Sequence, residues 1–222
     1  MKYKLAFILF AAFINIYGQN RVMVSYNPGY FIYNSENFLH ITDQYKIGSF
    51  PGLSAAFERD SVLGFNIHLE YDFNYYNKFG MVEFNWGETN STLDNRFIFT
   101  NYFLTSHNYD VSLLFKLFNK LNFSLGPSFA VYSRTFEYHE PLPPGVIAPG
   151  LYDRLVSYCL GVNGAMNFNY PLSDSKNYFF LYSGLKFRYV HSFRFDARGR
   201  NLDNYFQSFL TVQLNLGMGY NF

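Results

Sequence analysis

Leu63 to Tyr75 reads LGFNIHLEYDFNY. Its odd positions are Leu63, Phe65, Ile67, Leu69, Tyr71, Phe73 and Tyr75; its even positions are Gly64, Asn66, His68, Glu70, Asp72 and Asn74. Successive side chains of a strand point to opposite faces, so this alternation sorts an apolar set from a polar one. The C-terminus repeats it. Phe206, Ser208, Leu210, Val212, Leu214, Leu216, Met218, Tyr220 and Phe222 share one face. Gln207, Phe209, Thr211, Gln213, Asn215, Gly217, Gly219 and Asn221 share the other. Segments near 109–117, 123–131, 156–170 and 179–189 alternate likewise, after two weaker strands at roughly 21–34 and 48–58. The count is eight strands.

Most of these strands are long. A soluble strand runs about five or six residues, whereas a tilted membrane strand needs about 9–11. The polar faces carry small, uncharged residues in place of the Lys and Glu of a solvent-washed sheet. That pattern predicts apolar side chains toward lipid and polar ones toward a lumen. In hydrocarbon a set of strands satisfies its backbone only by closing. The expected fold is therefore all-β, an eight-stranded antiparallel up-and-down transmembrane β-barrel.

Connections alternate in length. Short turns fall at Glu58–Ser61, Asn119–Lys120 and Ser173–Asn177, and longer loops near 35–47, 77–103, 138–153 and 194–205. In outer-membrane barrels short turns are periplasmic and long loops outside, which predicts periplasmic termini. The 77–103 stretch holds Val82–Trp86 and Arg96–Phe99 around a polar tip. Its pieces are too short to span separately and predict a hairpin rising above the membrane.

Composition agrees. The chain has 222 residues and a net charge of +1, so no strong field attracts nucleic acid. Charged residues are 15% and aromatics 23%, which excludes disorder. A mean hydropathy of −0.09 argues against a helical membrane bundle. Met1-Lys2-Tyr3-Lys4, then apolar Leu5 to Ile14, then Gly18-Gln19 read as a signal peptide over 1–19, cut after Gly18 or Gln19. Residues 20–222 then form the barrel domain. The one cysteine, Cys159, excludes an intramolecular disulfide framework.

A signal peptide, eight alternating strands and a terminal Phe222 resemble small outer-membrane barrels of the OmpA/OmpX type. The last strand, Thr211 to Phe222 (TVQLNLGMGYNF), looks like the C-terminal signal read by the barrel-assembly machinery, with Tyr220 and Phe222 as its aromatic marks. The Gln after the signal and the Asn/Tyr/Phe-rich composition look like small barrels of Bacteroidota. One such subgroup, the PorT-like proteins, is associated with type IX secretion. The resemblance implies an outer-membrane location.

Eight strands enclose an interior just wide enough for side chains. The alternation places Glu58, Glu70, Asp72 and Asp110 inside, against Lys116, Arg134, Lys186 and Arg188. Four charges of each sign predict a salt-bridged, plugged lumen, whereas an ion path is marked by a ring of one sign. His68, Glu70 and Asp72 share one strand face and could offer metal ligands, but a hydrated lumen explains them more simply. A lipid hydrolase needs Ser, His and an acid together. His191-Ser192 fails that test, because adjacent strand residues face opposite ways. The remaining histidines, His40, His107 and His139, suggest no triad. Cys159 reads as a small packed residue. Trp86, Arg194, Arg198 and Arg200 are candidate surface-loop contacts, the arginines toward lipopolysaccharide phosphates.

The sequence thus predicts a monomeric outer-membrane barrel with a structural or surface-interaction role, without cofactor, metal or catalytic site. Its expected partners are outer-membrane lipid, lipopolysaccharide, the barrel-assembly machinery and envelope proteins. The rival readings are a component of an envelope secretion complex, a lipid-modifying enzyme, and a soluble lipocalin-like barrel with its apolar face inward.

Overall fold

The computed structural model describes residues 19–34, 48–62, 65–84, 96–118, 120–138, 154–173, 175–197, 200–201 and 208–222. Residues 1–18 of the expected signal peptide and Trp86 lie outside them. Eight strands run in chain order. β1 comprises Asn20–Tyr26 and Gly29–Asn34, and β2 comprises Ser49–Phe50 and Gly52–Val62. Then come β3 (Phe65–Phe84), β4 (Arg96–Phe118), β5 (Leu121–Tyr138), β6 (Arg154–Pro171), β7 (Tyr178–Ala197) and β8 (Ser208–Asn221). Arg200–Asn201 form a two-residue rung folded back on Asp196–Ala197 of β7.

Each strand pairs antiparallel with the next, and β8 closes the ring. It pairs with β7 from Ser208↔His191 to Asn221↔Tyr178, and with β1 from Arg21↔Asn221 to Tyr26↔Leu216. The described ends are zipped together: Asn20 N–H donates to the Phe222 carbonyl at 3.2 Å, and Phe222 N–H to the Asn20 carbonyl at 2.9 Å.

The breaks in β1 and β2 fall at Pro28 and Pro51, which have no N–H to give the ladder. Their carbonyls still bond across the sheet. Leu214 N–H donates to the Pro28 carbonyl at 2.9 Å and Tyr75 N–H to the Pro51 carbonyl at 3.1 Å. Proline here interrupts a strand without opening the barrel.

The faces are inverted relative to a soluble protein. Val24 is 59% exposed, Leu53 61%, Leu160 55% and Phe187 50%, while most buried side chains are Ser, Asn and charged residues. A lipocalin-like barrel requires the opposite sorting, so the soluble-barrel reading fails on this point.

Two boundaries differ from the sequence reading. Glu58–Ser61 is not a turn: β2 runs to Val62, with a register shift between Arg59 and Val62. The charged run resembles a turn but is held in the strand by partners, described below. The 77–103 stretch is mostly ladder. β3 and β4 pair from Tyr75↔Thr105 out to Phe84↔Arg96, so both pieces continue barrel strands as one hairpin.

Candidate functional site

The inward residues of β8 serve as a depth ruler from the long-loop end to the short-turn end. Phe209 comes first, then Thr211, Gln213, Asn215, Gly217, Gly219 and Asn221. Phe209 stacks on Tyr132 of β5, centroids 4.1 Å apart, and meets Phe31 of β1 edge-on at 6.2 Å. Phe50 joins Phe31 at 4.9 Å. Four aromatic rings therefore pack across the lumen at the long-loop end. Arg134 is buried there, its guanidinium 5.5 Å from the Phe209 ring.

At the depth of Gln213 the interior becomes ionic. Arg188 of β7 donates to Gln213 Oε1 at 3.3 Å, to Asp110 Oδ2 at 2.6 Å and to Asp72. Lys186, two residues away on β7, reaches Asp110 at 2.5 Å, Glu70 at 2.7 Å and Asp72 at 2.8 Å. The side chains of Lys186, Asp72 and Asp110 are 0% exposed. Alternation explains the meeting. Glu70 and Asp72 share the inner face of β3, Asp110 that of β4, and both basic residues that of β7 across the barrel. A buried ion is tolerated only when paired and hydrogen-bonded, and each of these has at least two partners.

The ion pairs continue toward the short turns. His68 turns Nε2 to Glu70 and Nδ1 to Glu58, each at 3.1 Å. With both ring nitrogens facing carboxylates, the geometry suits the doubly protonated ring. Glu58 accepts from Arg21 Nη1 at 3.1 Å, and Arg21 Nε donates to Asn221 at 3.3 Å. Asp60 lies 4.0 Å from Arg21 and 2.6 Å from Lys116. One chain of contacts therefore runs from Asp110 in mid-barrel to Lys116 at the rim. Neutral partners flank it: Asn27 donates to Asp72 at 3.0 Å, and Gln213 to Asn74 at 3.0 Å.

Alongside the ion chain, rings from β7 cross the inner wall. Phe180 and Tyr182 of β7 lie over Gly219 and Gly217, their register partners on β8. A Cβ at Gly217 would come within 2.6 Å of the Tyr182 ring, and one at Gly219 within 2.8 Å of Met23. Only glycine lets these rings cross the strand so closely. Below them the mouth opens into a cavity of about 380 Å³ bordered by Arg21, Lys116, Asn122 and Tyr178.

The expected set of lumen charges is thus brought together in part. Glu58, Glu70, Asp72, Asp110, Lys186 and Arg188 lie on the contact chain. Lys116 does not reach the centre, because it is near the end of β4 and is 42% exposed at the rim. Arg134 is inside but sits with the aromatic rings, one layer away from the carboxylates. Arg21 and His68 take the cationic places expected of these two. Arg21 is legible as the start of the inward series Arg21, Met23, Ser25, Asn27; His68 shares its face with Glu70 in the sequence, while Glu58, its partner across the sheet, is found only in the fold.

No family model matches the chain, and no curated protein matches its sequence. Among solved structures, the attachment invasion locus protein Ail of Yersinia pestis, crystallised with the heparin analogue sucrose octasulfate, superposes at TM-score 0.50 and 11% identity. That match covers 93% of this chain and 100% of Ail. A major outer membrane protein from Thermus thermophilus gives 0.46 at 12% identity, over 91% of this chain and 99% of that one. The outer membrane protein OprG from Pseudomonas aeruginosa gives 0.40 at 14%, over 92% and 96%. The fold is that of the small outer-membrane β-barrels.

Other expected contacts are placed on this barrel as follows. Tyr220 packs on Phe179 at 4.8 Å and stacks with Phe222 at 6.3 Å, an aromatic strip at the short-turn edge of β8. Arg194 lies 5.6 Å over the Tyr158 ring. Arg200 is in the rung above β7, and Arg198 lies outside the described residues. Cys159 is fully buried between its register partners Ala130 and Ser192. Ser192 points inward while His191 points out, and His191 Nδ1 instead lies 2.7 Å from Ser208 Oγ.

Proposed function

We infer that this chain is an integral outer-membrane barrel whose lumen is closed by paired charges and whose long-loop end serves surface interaction. The observation that carries this reading is Lys186, fully buried and held by three carboxylates from two other strands. An ion path needs a wet lining of one sign. Here balanced charges fill the middle, and aromatic rings fill the long-loop end above them. The interior therefore acts as scaffold, and interaction falls to the loops. Arg194, Arg198 and Arg200 supply a chemistry for it, since guanidinium groups bind phosphate or sulfate bidentately. Lipopolysaccharide phosphates are the anionic groups nearest to such a position. Ail, which shares the fold, was crystallised with a sulfated sugar; for this chain that ligand class rests on fold analogy and the three arginines.

Three measurements test the reading. The protein should fractionate with the outer membrane and shift mobility on boiling, as a detergent-resistant barrel does. In planar bilayers it should give no steady conductance; an open channel would overturn the closed lumen. The triple variant R194A/R198A/R200A should bind lipopolysaccharide at least fivefold more weakly, and unchanged binding would remove the arginines from the role.

A further inference from the structure

The outer wall carries a notch where β6, β7 and β8 meet. Outward positions of β7 read Phe179, Leu181, Ser183, Leu185 and Phe187. Ser183 is the small polar member of an apolar stripe, and its register partners are Phe168 on β6 and Leu216 on β8. The two large side chains flank the small one. The result is a shallow cavity of about 290 Å³ lined by Phe168, Tyr170, Leu181, Ser183 and Leu216. A leucine or phenylalanine at 183 would fill it.

A cation stands at the short-turn end of this notch. Lys120 Nζ lies 5.2 Å from the centroid of the Tyr170 ring, and Tyr170 lines the notch. Lys176, in the adjacent turn, is exposed as well. Ser183 is about 16 Å along β7 from Tyr178 at ~3.3 Å per residue. Barrel tilt of about 40° brings that to roughly 12 Å below the rim. Half the hydrocarbon thickness is about 15 Å, so the notch belongs to the leaflet on the short-turn side. Positive charge at the rim, an aromatic ring below it and an apolar recess deeper still match the order phosphate, glycerol, acyl chain.

We propose that this notch seats one acyl chain of an anionic glycerophospholipid, with the lipid phosphate at Lys120. The proposal rests on the membrane reading above and adds a defined lipid site to it. A bound lipid would cover the gap that Ser183 leaves and place the Lys120 charge against its headgroup.

Native mass spectrometry of the detergent-solubilised full chain, doped with phosphatidylglycerol or phosphatidylcholine, tests it. The wild type should retain one phosphatidylglycerol at least threefold more often than phosphatidylcholine. Ser183→Phe should lower the retained fraction at least fivefold, and Ser183→Leu should do the same with a smaller side chain. Lys120→Gln should abolish the headgroup preference while leaving some lipid bound. Heat-modifiability of each variant is measured alongside. Variants that shift normally but retain lipid as the wild type does would overturn the seat alone. A wild type that shows no shift and needs no detergent would overturn the membrane reading itself. Equal retention of both lipids by the wild type would overturn the anionic assignment.

Discussion

The two ends of the interior are filled by different kinds of contact. At the long-loop end, Phe31, Phe50, Tyr132 and Phe209 pack their rings against one another. From mid-barrel to the short turns, an ion chain runs from Asp110 through Lys186 and His68 to Arg21 and Lys116, with Phe180 and Tyr182 packed beside it. Aromatic packing is non-directional and tolerates some repacking. A buried ion chain is directional, and each member depends on the charge of the next. The ionic half should therefore be the more sensitive to single substitutions and the more forgiving of matched pairs.

The largest expected effect tests that asymmetry. Lys186→Met removes the cation shared by Glu70, Asp72 and Asp110 and leaves buried carboxylates undercompensated. Breaking one side of such a pair costs about 3–5 kcal/mol. Urea titration of the folded gel band should show a midpoint lowered accordingly, or no folded band. Adding Asp110→Asn should recover at least half of the loss, because both members of a pair are then neutral. A double variant as weak as the single one would mean that the carboxylates gain nothing from Lys186.

The aromatic half gives the next effect. Phe209→Ala removes the ring that touches both Tyr132 and Phe31. Truncating a buried phenylalanine costs about 3 kcal/mol or more in a close-packed core, less where neighbours can collapse into the gap. Phe209→Leu should recover most of this, since packing asks for volume more than for a particular atom. If Phe209→Leu were as damaging as Phe209→Ala, ring stacking itself would be the stabilising contact and the two halves would be less unlike than proposed.

This contrast also marks what the sequence can reveal. Period two assigns each residue to a face, so Glu70, Asp72, Asp110, Lys186 and Arg188 are recognisable as inward from the chain alone. It does not assign depth, which is set by the tilt and stagger of the closed barrel. Lys116 and Arg134 are therefore on the expected face but at the wrong height for the central cluster. The Glu58–Ser61 run looks like a turn because local composition outvotes contacts distant in sequence. Arg21 and His68 neutralise Glu58 in the strand, and neither contact is visible until the sheet closes. The hairpin of β3 and β4 is legible from Val82–Trp86 and Arg96–Phe99 around a polar tip, but the length of its ladder is not, because the alternation of β3 breaks at Tyr75-Tyr76.

The rim end of the ion chain supplies the smallest effect and the sharpest limit on the comparison. Lys116 and Asp60 are 2.6 Å apart, yet Lys116 is 42% exposed. Water screens the pair, and exposed ion pairs contribute about 0–1 kcal/mol. Lys116→Gln should thus move the urea midpoint little, by about 0.5 kcal/mol or less in stability. The same substitution should lose its effect in high salt, because screening already removes what the pair contributes. Lys186→Met should keep most of its cost in that salt, since no counter-ion reaches a side chain with no exposed surface. A salt series on the two variants side by side locates where along the chain of contacts water begins. If Lys186→Met were as salt-sensitive as Lys116→Gln, the middle of the barrel would be wet, and the closed lumen would have to be given up.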